Sequence, residues 1–169
     1  MEKIILVDEQ DNQIGEIEKL PAHENGGQLH RAFSIFVFNS RGQLLLQERA
    51  KTKYHGGGWW TNTCCSHPRV GEKIEESVHR RLVEEMGFDC ELKEEFSFIY
   101  KATCTNELTE WEFDHVFIGK WDGEVKPNPE EADSFKWVSK AEILKDVKEN
   151  PDKYSPWFKI ALNKVLERV

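Results

Sequence analysis

A chain of 169 residues is the size of one domain, so a single core spanning 1–169 with one site is the expectation. Its 38% hydrophobic content, six Trp included, is too rich for a disordered chain, and its formal charge of −8 argues against a nucleic-acid partner, which favours a basic surface. No stretch reaches the roughly 20 apolar residues of a membrane span, and the opening MEKIILVDEQ lacks the basic end and long apolar run of a signal peptide, so no membrane partner and a cytoplasmic location are expected.

Lys3 to Val7 reads as a strand, Asp11-Asn12 as a turn, and Ile14 to Ile17 as the returning partner. Pro21 to Leu29 holds Gly26-Gly27 and reads as loop. Arg31 to Asn39 alternates as a strand, Ser40 to Gly42 turns, and Leu44 to Gln47 returns. Glu72 to Met86 has the strongest helical pattern, with Ile74, Val78 and Leu82 spaced by four and Gly87 placed to cap the end. Phe96 to Thr103 and Glu110 to Lys120 read as long strands joined by a polar turn at Asn106, with a short strand at Phe135 to Val138. Helices follow at Lys140 to Lys148 and Pro156 to Val169, where Pro156 suits a first turn. Strands that arrive as hairpins, with few helices between them, predict an α+β fold with a mixed sheet rather than a doubly wound one.

Several positions carry chemistry. At about 100° per residue, Glu85 falls about 20° from Ile74, inside the apolar stripe, so a carboxylate faces the core. There it must be paired, neutralised or bound to a cation, and an i,i+4 pair with Arg81 is one solution. Glu110 and Glu112 are two apart and share one strand face, where they repel unless a cation lies between them. The four Cys form no spaced disulfide framework and read as small core residues or reactive thiols.

Glu72, Arg80, Leu82, Glu84, Glu85, Gly87 and Phe88 align with the Nudix signature G-x5-E-x7-R-E-U-x-E-E-x-G-U, which the stretch resembles. Ser66 replaces its first glycine, and Arg81 replaces a glutamate that contributes to the metal cluster of Nudix hydrolases. Upstream, the run Trp60-Thr61-Asn62-Thr63-Cys64-Cys65-Ser66-His67-Pro68 closely resembles the hallmark segment of type I isopentenyl-diphosphate isomerases. That likeness extends through Ala22-His23, Leu29 to Phe33, Arg49-Ala50, Tyr100 to Thr103, Glu110-Trp111-Glu112 and Tyr154 to Trp157. The Arg81 departure also occurs in that family.

The resemblance implies a Nudix-type α/β/α sandwich that converts isopentenyl diphosphate to dimethylallyl diphosphate by protonating one carbon and deprotonating another. It implies Cys65 as the thiol on one side of the substrate and Glu112, hydrogen-bonded near Tyr100, as the carboxylate on the other. Glu112 with Tyr100 is expected to deliver the proton and Cys65, as thiolate, to take one. His23, His30, His67, Glu110 and Glu112 would surround a Mn2+ or Zn2+ ion, while Glu85 would hold Mg2+ together with the diphosphate. Lys19, Arg49, Lys53 and Arg81 match basic positions around the phosphates, and Trp157 matches one over the hydrocarbon end, where an indole excludes water and attracts a cation. His55, His79 and His115 are expected to lie apart from the chemistry. The partner is a small isoprenoid diphosphate, the chain a monomer or weak dimer, and the competing activity a Nudix diphosphohydrolase acting on a nucleotide or other diphosphate.

Overall fold

The computed structural model describes residues 2–169. Strands β1 (Lys3–Val7) and β2 (Gln13–Glu18) form the opening hairpin, and the chain then enters a five-residue helix, α1 (Lys19–His23). This corrects the loop expected from Pro21 onward. Pro21 lies in the first turn of α1, where its missing N–H leaves no helical bond unmade, so the helix tolerates it.

Next come β3 (His30–Phe38), β4 (Leu44–Arg49) and two short strands, β5 (Trp60–Thr61) and β6 (Cys64–Ser66). Helix α2 spans Ile74–Met86, two residues shorter at its start than expected. Gly87 ends it at φ +74, the left-handed conformation, with its N–H bonded to the Val83 carbonyl. Strands β7 (Leu92–Thr103) and β8 (Thr109–Lys120) pair in register from end to end apart from a bulge between Glu94 and Phe96. The polar run before that bulge concealed the first four residues of β7. Strand β9 (Ala132–Val138) and helices α3 (Lys140–Glu149) and α4 (Pro156–Leu166) complete the fold.

The sheet is mixed. Strand β3 lies parallel to β8 along its length and antiparallel to β6, while β4 pairs antiparallel with β9 and β5. Period-2 alternation sends opposite faces of β3 into two cores. Phe33, Ile35 and Val37 pack with Val78, Leu82 and Met86 of α2, whereas Phe36 and Phe38 pack with Phe158, Ala161 and Leu162 of α4. Helices thus cover both faces of an α+β sandwich. Among the described residues, no helix is long and apolar enough to cross a membrane.

Candidate active site

The even-numbered residues of β8 place three carboxyl groups, Glu110, Glu112 and Asp114, on one buried face. The parallel register sets His30 of β3 directly opposite Glu112. His23 reaches the group from the end of α1, and His67 from just beyond β6. One ligand atom from each of His23, His30, His67, Glu110 and Glu112 lies within 4.8 Å of all the others.

Hydrogen bonding settles which way two of these imidazoles, His23 and His30, present their lone pairs. His23 Nδ1 is 2.6 Å from the Lys19 carbonyl and His30 Nδ1 is 2.7 Å from the Gln28 carbonyl; a carbonyl only accepts, so both Nδ1 atoms carry hydrogen. In the neutral ring, each Nε2 then offers a lone pair. His23 Nε2 is 3.0 Å from Glu110 Oε2, and His30 Nε2 is 3.5 Å from Glu112 Oε1 and 3.2 Å from His67 Nε2. His67 Nε2 is in turn 3.1 Å from Glu112 Oε1. The lone pairs of His23 and His30 therefore face other acceptors, which requires a shared proton or a cation between them, and this donor set of imidazole and carboxylate fits a divalent metal ion.

Electrostatics agree with that crowding. Burial opposes it, but the hydrogen bonds of His23 and His55 hold Glu110 well below the ordinary carboxylate range. Burial drives His67 down to about 3, so it is neutral near pH 7. Asp114 behaves oppositely. Burial and the neighbouring Glu112 charge push it well above its ordinary value, although its Oδ2 accepts from Ser34 Oγ at 2.8 Å.

One pocket opens beside this cluster. Cys65 lines it from β6, and Tyr100, Glu110 and Glu112 line it from the β7–β8 hairpin. The Tyr100 hydroxyl donates to Glu112 Oε2 at 2.6 Å. Burial pushes the Cys65 thiol up to about 12, with Arg49 the main opposing influence.

Basic groups gather in the same pocket: Lys19, Arg49, Lys53 and Arg81. Arg49 is 8% exposed, yet among the described residues no carboxylate lies within ion-pair distance of it, and its Nε has no partner. Its guanidinium carbon sits 5.3 Å from the ring centre of Trp157, the buried first-turn residue of α4 that also lines the pocket. Arg81 Nη2 lies 2.5 Å from Glu85 Oε1, which realises the i,i+4 pair, and Glu85 Oε2 accepts from Gln47 at 2.9 Å. Lys19 has Glu2 at 3.9 Å.

His55 and Glu131 are among the residues in the pocket region that escaped sequence reasoning. His55, expected to lie apart, is 6% exposed, lines the pocket and places Nε2 2.6 Å from Glu110 Oε1. Glu131, in the loop before β9, pairs with both Lys53 and Arg81. His79 and His115 do lie outside the pocket, paired with Asp89 and with Asp11 and Glu94.

Comparison with known proteins follows the same lines. Residues 28–158 match the family described as NUDIX domain. The isopentenyl-diphosphate Delta-isomerase 2 of Photorhabdus laumondii is 54% identical over 162 residues, covering 96% of this chain and 91% of the relative. The isopentenyl-diphosphate Delta-isomerase 2 of Aromatoleum aromaticum is 52% identical, covering 98% and 87%. Among solved structures, DR0079 from Deinococcus radiodurans superposes with a TM-score of 0.77 at 21% identity, over 99% of this chain and 98% of its own. The MutT protein of Methanosarcina mazei Go1 gives 0.60 at 23% identity, over 69% and 81%. At those identities the two structures speak for the fold alone.

Proposed function

The chain belongs to the Nudix family and, within it, to the isopentenyl-diphosphate Delta-isomerases, and from that premise we infer that its pocket interconverts isopentenyl and dimethylallyl diphosphate. The observation that carries the reading is the shared pocket. Cys65 comes to it from one strand and Glu112 with Tyr100 from a hairpin, in the company of a buried guanidinium that has no acid of its own among the described residues. Leaving such a charge unpaired is costly, and an anionic substrate relieves the cost.

The isomerisation adds a proton to the terminal methylene carbon and removes one from the methylene next to the double bond, leaving the formula unchanged. Cys65 and the Glu112–Tyr100 pair flank the five-carbon chain and divide these transfers; whichever group donates in one direction accepts in the other. Arg49, Arg81, Lys53 and Lys19 bind the diphosphate, and Trp157 covers the hydrocarbon end, excluding water and stabilising positive charge developing at the branched carbon. Mn2+ or Zn2+ held by His23, His30, His67, Glu110 and Glu112 would fix the Glu112 carboxyl group and tune its proton affinity, while Mg2+ at Glu85 would offset diphosphate charge. The unit is one domain over 1–169, monomeric or weakly dimeric. Its four free thiols suit the cytoplasm.

Deuterium uptake tests this directly. In heavy water, the enzyme should place carbon-bound deuterium in isopentenyl diphosphate and form its allylic isomer, and Cys65→Ala and Glu112→Gln should each lose about 100-fold or more in rate. Release of phosphate without any isomer would favour hydrolysis instead. The paired state of Arg81, at the position of a hydrolase carboxylate, argues against that outcome.

A further inference from the structure

We propose that His55 is a positioning residue that holds the outer oxygen of Glu110, as Tyr100 holds the outer oxygen of Glu112. The inference rests on the reading of the His/Glu cluster as a divalent-metal centre. Each carboxylate there turns one oxygen inward and one outward. Glu112 presents Oε1 to His30 and His67 and accepts from Tyr100 on Oε2. Glu110 presents Oε2 to His23, and its Oε1 lies 2.6 Å from His55 Nε2.

His55 stands outside the set of mutually close ligand atoms, which contains three other imidazoles. Its contact is with the Glu110 oxygen other than the one His23 approaches. With Nε2 toward a carboxylate, the ring carries its hydrogen there, and Nδ1 is left buried without a partner.

The ring is also held in place from several sides. Tyr54 packs at 4.4 Å between ring centroids and Trp157 at 6.2 Å. Arg49 donates to the His55 carbonyl at 3.1 Å, Asn106 donates to the Tyr54 carbonyl at 2.7 Å, and the Gly56 N–H donates to Thr105 Oγ1 at 2.9 Å. The last two bonds tie the His55 loop to the turn between β7 and β8, so the same hairpin that carries Glu110 carries an anchor of its partner. Gly57 permits the tight path, since a Cβ there would stand 2.7 Å from the Lys51 carbonyl oxygen.

Outer partners of metal ligands orient them, and losing one typically lowers metal affinity roughly 10- to 100-fold. Mn2+ affinity, measured by competition with a chelator on the full chain, should therefore fall by that factor in His55→Ala. His55→Gln, whose amide N–H can reach the same oxygen, should recover most of it. X-ray absorption of the Zn2+-loaded proteins should give the same number of imidazole ligands in wild type and His55→Ala. Affinity within about two-fold of wild type in His55→Ala, or equal losses in both variants, would overturn the proposal. Loss of one imidazole would overturn it too, by making His55 a ligand. Wild-type protein that binds Mn2+ and isomerises substrate, beside an unaffected His55→Ala, sinks only the role of His55; wild-type protein that binds no Mn2+ sinks the metal centre with it.

Discussion

Arg81→Ala isolates the electrostatics of the buried carboxylate Glu85 at the pocket. Arg81 contacts Glu85 at 2.5 Å, Glu84 at 2.8 Å and Glu131 at 3.1 Å. Glu85 is 4% exposed and keeps one other side-chain partner, the Gln47 amide at 2.9 Å. Removing one member of a buried ion pair typically costs about 3–5 kcal/mol, because the remaining charge is uncompensated. The Gln47 amide places this case near the lower end, at about 3 kcal/mol. Urea unfolding should read that as a lower midpoint with an unchanged slope. Adding Glu85→Gln removes the stranded charge, so the double variant should be more stable than the sum of the singles by on the order of 2 kcal/mol. Mg2+ should restore part of the loss in Arg81→Ala, up to about 2.7 kcal/mol at a hundred times its Kd. A single variant within about 1 kcal/mol of wild type, or strict additivity in the double, would refute this account of Glu85.

Two further outcomes concern the helix that carries Arg81. Arg80 holds Glu72 down to about 2, so that pair stabilises the fold above the ordinary carboxylate value near 4.5 and loses its contribution as pH falls from there toward 2; screening limits it to about 1 kcal/mol, and Glu72→Gln should flatten the acid limb of stability against pH between those values. Gly87→Ala should lower the stability by about 2 kcal/mol and the melting temperature by about 5 °C, since φ is +74 and a Cβ would lie 2.5 Å from the Lys126 carbonyl oxygen; an unchanged melting curve would show that the cap is not strained.

Much of the architecture was legible because it follows from periodicity. Ile74, Val78 and Leu82 mark the buried face of α2, and Gly87 marks its end, where the observed conformation is the one that glycine favours. The i,i+2 spacing of Glu110 and Glu112 foretold a shared face. The rest depends on distance in space. His55 follows no helical or strand period and sits beside three glycines, so nothing local ties it to Glu110, 55 positions later. Glu131 likewise meets Lys53 and Arg81 only because the loop before β9 folds back over the end of β4. The upward push of burial on the Cys65 thiol was illegible as well, since burial is not written in the residues around it.

The in-register pairing of β3 with β8 makes the chemistry a matter of parity. Positions 110, 112 and 114 look one way and 111, 113 and 115 the other, so inserting a single residue between Thr109 and Asp114 would invert the wall of the pocket while leaving the ladder intact. Length variation in this hairpin should therefore collect in the turn at Thr105–Glu107, and the odd positions should be free to drift in a way that the even ones are not.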